Sequence, residues 1–204
     1  MGVRAGGDER GAEGGKEKLR KSSVGIRTTP SQTFGPCLRI GFGALAIEAI
    51  AASGAAGEHL TIEGRAVDGD GNPVSDAVLE IWQADASGKY MHAEDANASG
   101  AGKFRGFGRI LTDAEGAFRF TTVKPGPVPG PNGAMQAPHL VVTVFMRGLL
   151  KHLLTRIYFP DDPGNAGDPI LLLVPAERRA TLIAKRSPQA KATPRLSPAA
   201  FAVR

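Results

Sequence analysis

The candidate side chains for chemistry in this sequence are its four histidines and two tyrosines. The chain has only one cysteine, Cys37. Imidazole and phenolate groups can bind a transition metal or transfer protons. No two histidines stand in an HxH or HxxxH spacing and no CxxC occurs, so spacing alone predicts no metal site. An isolated histidine is more often a structural residue than a ligand. The candidates are His59, His92, His139, His152, Tyr90 and Tyr158.

The element that must position such residues is the stretch from Leu60 to Asp85. Apolar side chains alternate with polar ones on both sides of a turn rich in Asp, Asn and Gly at 68–73. Alternation of period two predicts two half-buried strands, and the turn residues permit a chain reversal between them. Two strands alone cannot bury an apolar face, so further strands must follow.

Runs rich in β-branched and aromatic residues predict four further strands, at 108–112, 117–121, 139–147 and 153–159. The first two are expected to form a hairpin, and Gly148 separates the last two. Many short strands with Gly- and Pro-rich turns and little helix indicate an all-β protein with a β-sandwich core.

The remaining segments are predicted to be a short helix and loops. One short helix is expected within 37–55, and a helical turn leading into a last strand at 175–186. Surface loops are expected at 87–105 and 124–137, the second because it holds four prolines and three glycines.

Composition limits the class of protein. The 204 residues are enough for one domain with a real core, and 27 Gly and 15 Pro indicate many turns. No apolar run approaches the ~20 residues that cross a bilayer. A single cysteine allows no internal disulfide, and the N-terminus lacks the apolar core of a secretory signal. A cytoplasmic protein is therefore expected.

The net charge of +5 belongs to the two ends of the chain. Residues 1–27 carry seven basic and four acidic side chains, and residues 185–204 carry five basic side chains and no acid. Basic ends could bind nucleic acid, but no aromatic residues interleave with them, so solvated ends are the preferred interpretation. We therefore expect a disordered extension at 1–27, a β-sandwich domain at 28–186, and a disordered Pro-rich basic tail at 187–204.

Seven motifs stand in a fixed order along the chain: TPSQTFGP, GEHLTIEGRAVDGDGNPV, EIWQAD, TVKPGP, APH, TRIYF and RRATLIAKR. Each motif alone is weak, but the ordered set is specific and extends from Thr29 to Arg186. In this order the motifs resemble those of the intradiol ring-cleaving dioxygenases. The fold of that family is a β-sandwich, which agrees with the strand pattern.

The resemblance implies that this chain holds no metal. Iron-bearing members of the family bind a non-haem Fe(III) through two tyrosines and two histidines, because phenolate oxygens suit a ferric ion. Only one of the four ligands is retained at the matching positions, and an aliphatic residue cannot bind iron. The four positions are Asn97, Val128, His139 and Val141.

Two more residues near these positions depart from the family pattern. Gln136 stands where an arginine usually precedes the first histidine, and Arg156 replaces a glutamine. A guanidinium at this place would repel a cation and could fill the vacated metal pocket. Arg156 could equally be an ordinary surface residue of a strand.

Chains with this pattern pair with an iron-bearing beta chain of the same fold, in αβ units of a larger oligomer. The resemblance implies that Thr33, Gly35 and Pro36 line the partner's active site, with Cys37 replacing a tyrosine. Arg147 is expected near the same pocket, where it could bind a substrate carboxylate. The implied reaction uses O2 and the partner's Fe(III) to cleave 3,4-dihydroxybenzoate between its hydroxyls, giving 3-carboxy-cis,cis-muconate.

Two alternative functions are compatible with a β-sandwich. A non-catalytic β-sandwich module that binds carbohydrate or protein shares the G-x-P-V-x-x-A-x-V-x-I run, but leaves the TPSQTFGP arm unexplained. An iron dioxygenase complete in one chain is opposed by Asn97, Val128 and Val141. The sequence after Arg186 departs from the family, as a frameshift or truncation would explain, and Val24 could be the true first residue.

Overall fold

The protein is a β-sandwich, which confirms the fold class predicted from the strand pattern. Its two main sheets share one apolar core. Among the described residues no helix is long and apolar enough to span a bilayer. The computed structural model describes residues 33, 35–91, 103–160 and 162–187, and the backbone of 195–197 and 201–202.

The first sheet is built around β1 (His59–Val67). It pairs antiparallel with β4 (Ala117–Val123), from His59 opposite Val123 to Arg65 opposite Ala117. Three shorter strands complete the sheet: β10 and β11 pair in parallel with β1, and β9 pairs antiparallel with β10. Their bounds are Lys185–Arg186 for β9, Arg195–Ser197 for β10 and Phe201–Ala202 for β11.

The second sheet has the order β3-β2-β7-β8, and every neighbouring pair is antiparallel. β7 and β8 form a hairpin across Gly148, whose φ of 82° is a conformation that glycine adopts without strain. The four strands are β2 (Val78–Trp82), β3 (Phe107–Leu111), β7 (His139–Phe145) and β8 (Leu153–Tyr158).

The core lies between the inward faces of these sheets. Ile62 and Phe120 contribute from the first sheet, and Leu79, Ile81 and Leu140 from the second, each at most 1% exposed. Burying one such side chain stabilises the fold by roughly 1.5–3 kcal/mol. Alternate positions along each strand therefore point into the core, and the positions between them form the outer faces.

Two strand pairings expected from the sequence are wrong. β1 and β2 lie in different sheets, and so do β3 and β4, so both turns carry the chain from one sheet to the other. Alternation identifies which side chains are buried, but not which strand lies beside which. The second turn requires Gly116, with φ of 71°, because a Cβ there would lie 2.5 Å from the carbonyl oxygen of Ala66.

The helical segments are short. α1 (Gly35–Phe42) is the helix expected within 37–55, but it begins two residues earlier, and Gly43–Leu45 continues it as a 3-10 turn. α2 (Ala176–Arg179) precedes β9, as predicted for 175–186. Further 3-10 turns are Pro131–Gly133, Pro163–Gly167, Leu171–Leu173 and Ala180–Leu182.

The segment 124–137, expected to be a surface loop, contains a small ladder of its own. β5 (Val128–Pro129) pairs with β6 (Met135–Gln136). Val128 and Ala137 are buried, so part of this segment faces the interior. The proline and glycine content predicted the turns correctly, but gave no sign of the pairing between them.

β10 and β11 fall in the tail 187–204, where the sequence predicts no strand. Both pair with the backbone of β1, whose N–H and C=O groups can bind an added strand whatever its side-chain pattern. The tail residues 188–194, 198–200 and 203–204, the extension 1–27, and positions 28–32 and 34 lie outside the described residues. The expectations made for those residues stay predictions.

Candidate functional site

Four side chains form a row across the outer face of the second sheet. Phe107 lies opposite Trp82, Trp82 opposite Val141, and Val141 opposite Arg156. Directly opposed residues on neighbouring strands point to the same face. The adjacent residue Ile81 is fully buried in the core, so this row faces away from the core.

His139 lies beside this row, opposite Tyr158 on the neighbouring strand. It is 4% exposed, and its ring centroid lies 5.8 Å from that of Tyr158. Its Nδ1–H donates to the carbonyl oxygen of Ala137 at 2.7 Å, which leaves Nε2 as the acceptor of the neutral ring. Burial lowers the pKa of His139, and the charge of Arg156 acts in the same direction. The imidazole is therefore neutral at pH 7.

The hydroxyl of Tyr158 is held by a buried carboxylate. Tyr158 and Asp168 are both fully buried, and the tyrosine O–H donates to Asp168 Oδ1 at 3.0 Å. Burial raises the pKa of Tyr158 to about 12, so it is a neutral hydrogen-bond donor and not a phenolate. Asp168 also accepts three backbone N–H bonds, from Ala137, Ile170 and Leu171.

The guanidinium of Arg156 completes this cluster. Its Nη1 donates to Gln136 Oε1 at 2.8 Å and to Tyr158 Oη at 3.3 Å, and the side chain is half-buried. A solvated surface residue would not need these contacts. The guanidinium is therefore held in place by two neighbouring side chains.

The structure brings together five of the six positions that the resemblance relates to a metal site. Gln136, His139, Val141 and Arg156 belong to the cluster described above. Val128 is 3% exposed and pairs with Gln136 across the β5–β6 ladder. Asn97 lies outside the described residues.

The described residues of this cluster do not fit a ferric ion. Val128 and Val141 offer only methyl groups, so His139 is the single donor among the three described ligand positions. The positive charge of Arg156 would oppose a cation. No group of three or more His, Cys, Asp or Glu in the described part of the chain could hold a metal. We therefore derive no reaction step through a metal held by these residues.

Tyr90 packs against the aromatic end of the row. Its ring stacks on Trp82, with centroids 6.2 Å apart and an interplanar angle of 12°. The loop before it is fixed by Asp85 Oδ1, which accepts the N–H groups of Ser87 and Lys89 at 2.8 and 2.9 Å. Burial raises the pKa of Tyr90, and the positive charge of Arg156 opposes that shift. Tyr90, Trp82 and Arg156 thus share one face.

The other histidines do not join this site. His59 Nε2 donates to the carbonyl oxygen of Ala55 at 2.8 Å, and the ring of His152 lies 5.7 Å from that of Phe145. Both contacts are local and structural. His92 lies outside the described residues.

A second region contains the residues expected to line a partner's pocket. Thr33 Oγ1–H donates to the carbonyl oxygen of Met146 at 3.3 Å, and Arg147 is the next residue. The Arg147 side chain is 62% exposed, and its Nε lies 3.7 Å from Oδ1 of Asp76. The arm and the end of β7 therefore meet at one place.

Gly35 and Pro36 begin α1, which is fixed to the sandwich near the same region. Arg39 Nη1 donates to the carbonyl oxygen of Thr112 at 2.8 Å. The guanidinium of Arg109 lies 4.5 Å from the ring centroid of Phe42. Cys37 is exposed.

The sequence analysis did not identify Asp168, the carboxylate at the centre of the first cluster. This residue belongs to none of the family motifs and stands in a 3-10 region ten residues after Tyr158. Nothing in its sequence context distinguishes it from other surface acids. Only the fold shows that it is buried.

The β-sandwich fold agrees with the class of protein that the ordered motifs indicate. Residues 48–204 match the family described as Dioxygenase. The chain belongs to the intradiol ring-cleavage dioxygenase family, as its motifs indicate.

Three relatives show where the chain stands within this family. It is 47% identical over 176 residues to the protocatechuate 3,4-dioxygenase alpha chain of Burkholderia cepacia, covering 80% of this chain and 86% of that one. It is 42% identical over 174 residues to the alpha chain of Pseudomonas putida, covering 78% and 83%. The beta chain of Burkholderia cepacia is 40% identical over 134 residues, covering 64% and 57%.

Solved structures share the fold at lower identity. The dioxygenase domain of a dioxygenase carbohydrate-binding protein fusion from Streptomyces sp. SirexAA-E superposes with a TM-score of 0.60 and 23% identity, over 89% of this chain and 96% of that one. Catechol 1,2-dioxygenase from Acinetobacter sp. ADP1 gives 0.58 and 22%, over 73% and 54%. These two similarities show the fold alone.

Proposed function

We propose that this chain is the alpha subunit of a protocatechuate 3,4-dioxygenase and that it binds no iron itself. It pairs with a beta chain whose non-haem Fe(III) and O2 cleave 3,4-dihydroxybenzoate to 3-carboxy-cis,cis-muconate. Similarity to two alpha chains supports this assignment. We further propose that αβ units assemble into a larger oligomer in the cytoplasm, where a lone cysteine needs no disulfide partner.

The observation that carries the proposal is a hydrogen-bonded guanidinium beside the positions where the family resemblance expects metal ligands. Arg156 donates to Gln136 and to Tyr158 in the region where the family places its iron. The aliphatic side chains of Val128 and Val141 cannot replace the lost donors. A chain of this family without its own iron needs a partner that supplies one.

The proposed contributions of this chain to the shared pocket are Thr33, Gly35, Pro36 and Arg147. The contact of Thr33 with Met146 O brings the arm to the base of Arg147. Arg147 faces Asp76 through Nε, and the two terminal nitrogens of its exposed guanidinium have no acceptor in the described part of the chain. A guanidinium can bind a carboxylate with two parallel hydrogen bonds. Its role is to hold the carboxylate of 3,4-dihydroxybenzoate, while the partner supplies the reacting centre.

Co-expression with the matching beta chain tests the proposal. We expect the two chains to purify together as a coloured complex that converts protocatechuate, and this chain alone to cleave no catechol. A control expresses the beta chain alone. If the beta chain is fully active alone and never associates with this chain, the subunit assignment is wrong.

The alternative of a non-catalytic carbohydrate- or protein-binding module is not favoured. The two relatives at 47% and 42% identity, which cover about four fifths of this chain, are dioxygenase alpha chains.

A further inference from the structure

We propose that the outer face formed by Trp82, Tyr90, Val141 and Arg156 binds an aromatic carboxylate on this chain itself. We call these four residues the aromatic–arginine face. The inference goes beyond the proposed function, because it concerns a ligand held by this chain's own residues and needs no partner chain.

The strand register gives the face its dimensions. Trp82 and Arg156 stand two strands apart, with Val141 directly between them on β7. Neighbouring strands are ~4.8 Å apart, so the two outer residues start about 10 Å apart. Both have long side chains and the residue between them is short. The row therefore has an aromatic wall, a small apolar floor and a cationic wall.

Arg156 has hydrogen-bonding capacity left for a ligand. Both of its hydrogen bonds start from Nη1, and neither Nε nor Nη2 has an acceptor among the described residues. The nearby carboxylate of Asp168 does not form an ion pair with it, because the Tyr158 hydroxyl lies between them. Backbone N–H groups already satisfy that carboxylate. A second carboxylate is thus the natural partner for the free edge of the guanidinium.

The aromatic wall selects the rest of the ligand. Trp82 is 39% exposed although it is the largest apolar side chain of the sheet, and Tyr90 lies nearly parallel to it. Flat aromatic surfaces bind aromatic rings by stacking and by excluding water. An aliphatic acid would contact only the guanidinium of Arg156. A neutral aromatic ring would contact only Trp82 and Tyr90. A flat ring that carries one carboxylate uses both.

The fluorescence of Trp82 provides a direct assay, because it is the only tryptophan of the chain. The full-length chain alone is titrated with 4-hydroxybenzoate, 4-hydroxybenzamide and acetate, with correction for ligand absorbance. We expect saturable quenching by 4-hydroxybenzoate, about tenfold weaker binding of the amide, and no quenching by acetate, since a hydrogen bond to a charged group contributes at least 1.4 kcal/mol, or tenfold. Equal affinity for acid and amide, or no saturation, overturns the proposal.

Two variants assign the binding to this face. Arg156→Gln should weaken the binding of 4-hydroxybenzoate about tenfold and remove the preference of the chain for the acid over the amide. The matched control is Arg119→Gln, an exposed arginine of the first sheet paired with Glu63 at 3.3 Å, which should change nothing. Val141→Phe puts a larger side chain between Trp82 and Arg156 without changing the charge. It should weaken the binding of 4-hydroxybenzoate and of 4-hydroxybenzamide to the same extent. Unchanged binding in Arg156→Gln or Val141→Phe, or an equal loss in Arg119→Gln, contradicts the proposal. Because no beta chain is present, this outcome is independent of the subunit assignment.

Discussion

Replacing Tyr158 by phenylalanine removes one oxygen atom from the buried cluster and tests its energetics. The lost hydroxyl donates to the charged carboxylate of Asp168 and accepts from Arg156. Hydrogen bonds to charged groups contribute about 1.5–3 kcal/mol, and both partners keep other hydrogen bonds. We therefore expect Tyr158→Phe to lower the free energy of unfolding by about 2 kcal/mol at pH 8.

The raised pKa of Tyr158 gives this substitution a pH dependence of known sign. The phenol ionises near 10.0 in the absence of the fold and at about 12 in the folded protein. Stability that depends on the neutral hydroxyl is therefore complete below pH 10 and is lost as the pH rises through 12. Two pKa units correspond to about 2.7 kcal/mol. The advantage of the wild type over Tyr158→Phe should thus disappear between pH 10 and 12.

The assay is urea unfolding of the full chain at constant protein concentration, at several values between pH 8 and 12. Tyr90→Phe is the matched control, because it keeps Tyr158 and should keep the part of the loss of stability that the ionisation of Tyr158 causes. The chain has two tyrosines, so the absorbance of tyrosinate in each variant assigns each ionisation to one residue. Equal stability of wild type and Tyr158→Phe at pH 8, or a difference that stays constant to pH 12, would refute the reasoning.

Three further substitutions test other parts of the structure. In the αβ complex, Arg147→Ala should weaken protocatechuate binding by roughly 1–3 kcal/mol and spare catechol, which has no carboxylate; equal losses in steady-state kinetics would limit Arg147 to a structural role. Gln83→Leu should lower the free energy of unfolding in urea by about 2–4 kcal/mol. Gln83 is fully buried, accepts a hydrogen bond from Thr122 at 2.6 Å and donates to two backbone carbonyls. A loss under about 1 kcal/mol would contradict this. In thermal unfolding, Gly116→Ala should lower the stability more than Gly71→Ala. Both glycines have positive φ, but of the two only Gly116 would place a Cβ against backbone atoms. Equal losses of stability would show that this close contact does not matter.

The sequence predicts the positions of the strands well, because burial of alternate side chains is visible locally. β1, β2, β7 and β8 all lie where alternation or β-branched residues place them. The sequence does not predict which strands lie beside each other. A short turn at 112–116 is equally compatible with a hairpin and with a crossing between sheets, and only the packing of both faces decides between them.

The site could be predicted in part. Comparison with family motifs predicts which positions have lost a metal ligand, because each is a change of residue type at a fixed place in a motif, and the structure brings together five of the six positions that the resemblance relates to a metal site. The partners of Arg156 could not be predicted, because Gln136 and Tyr158 come from different strands. The position of Asp168 depends on the path of an irregular segment, which no local pattern determines.

The measurement that tests the central claim most directly is the amount of iron per copy of each chain in the purified complex and in this chain alone. We propose that a chain with a guanidinium and aliphatic side chains at the positions where the family binds iron has too few donors for a ferric ion. We expect about one iron per αβ pair, and none above background in this chain purified alone. Tightly bound iron approaching one per copy in the isolated chain would contradict the account.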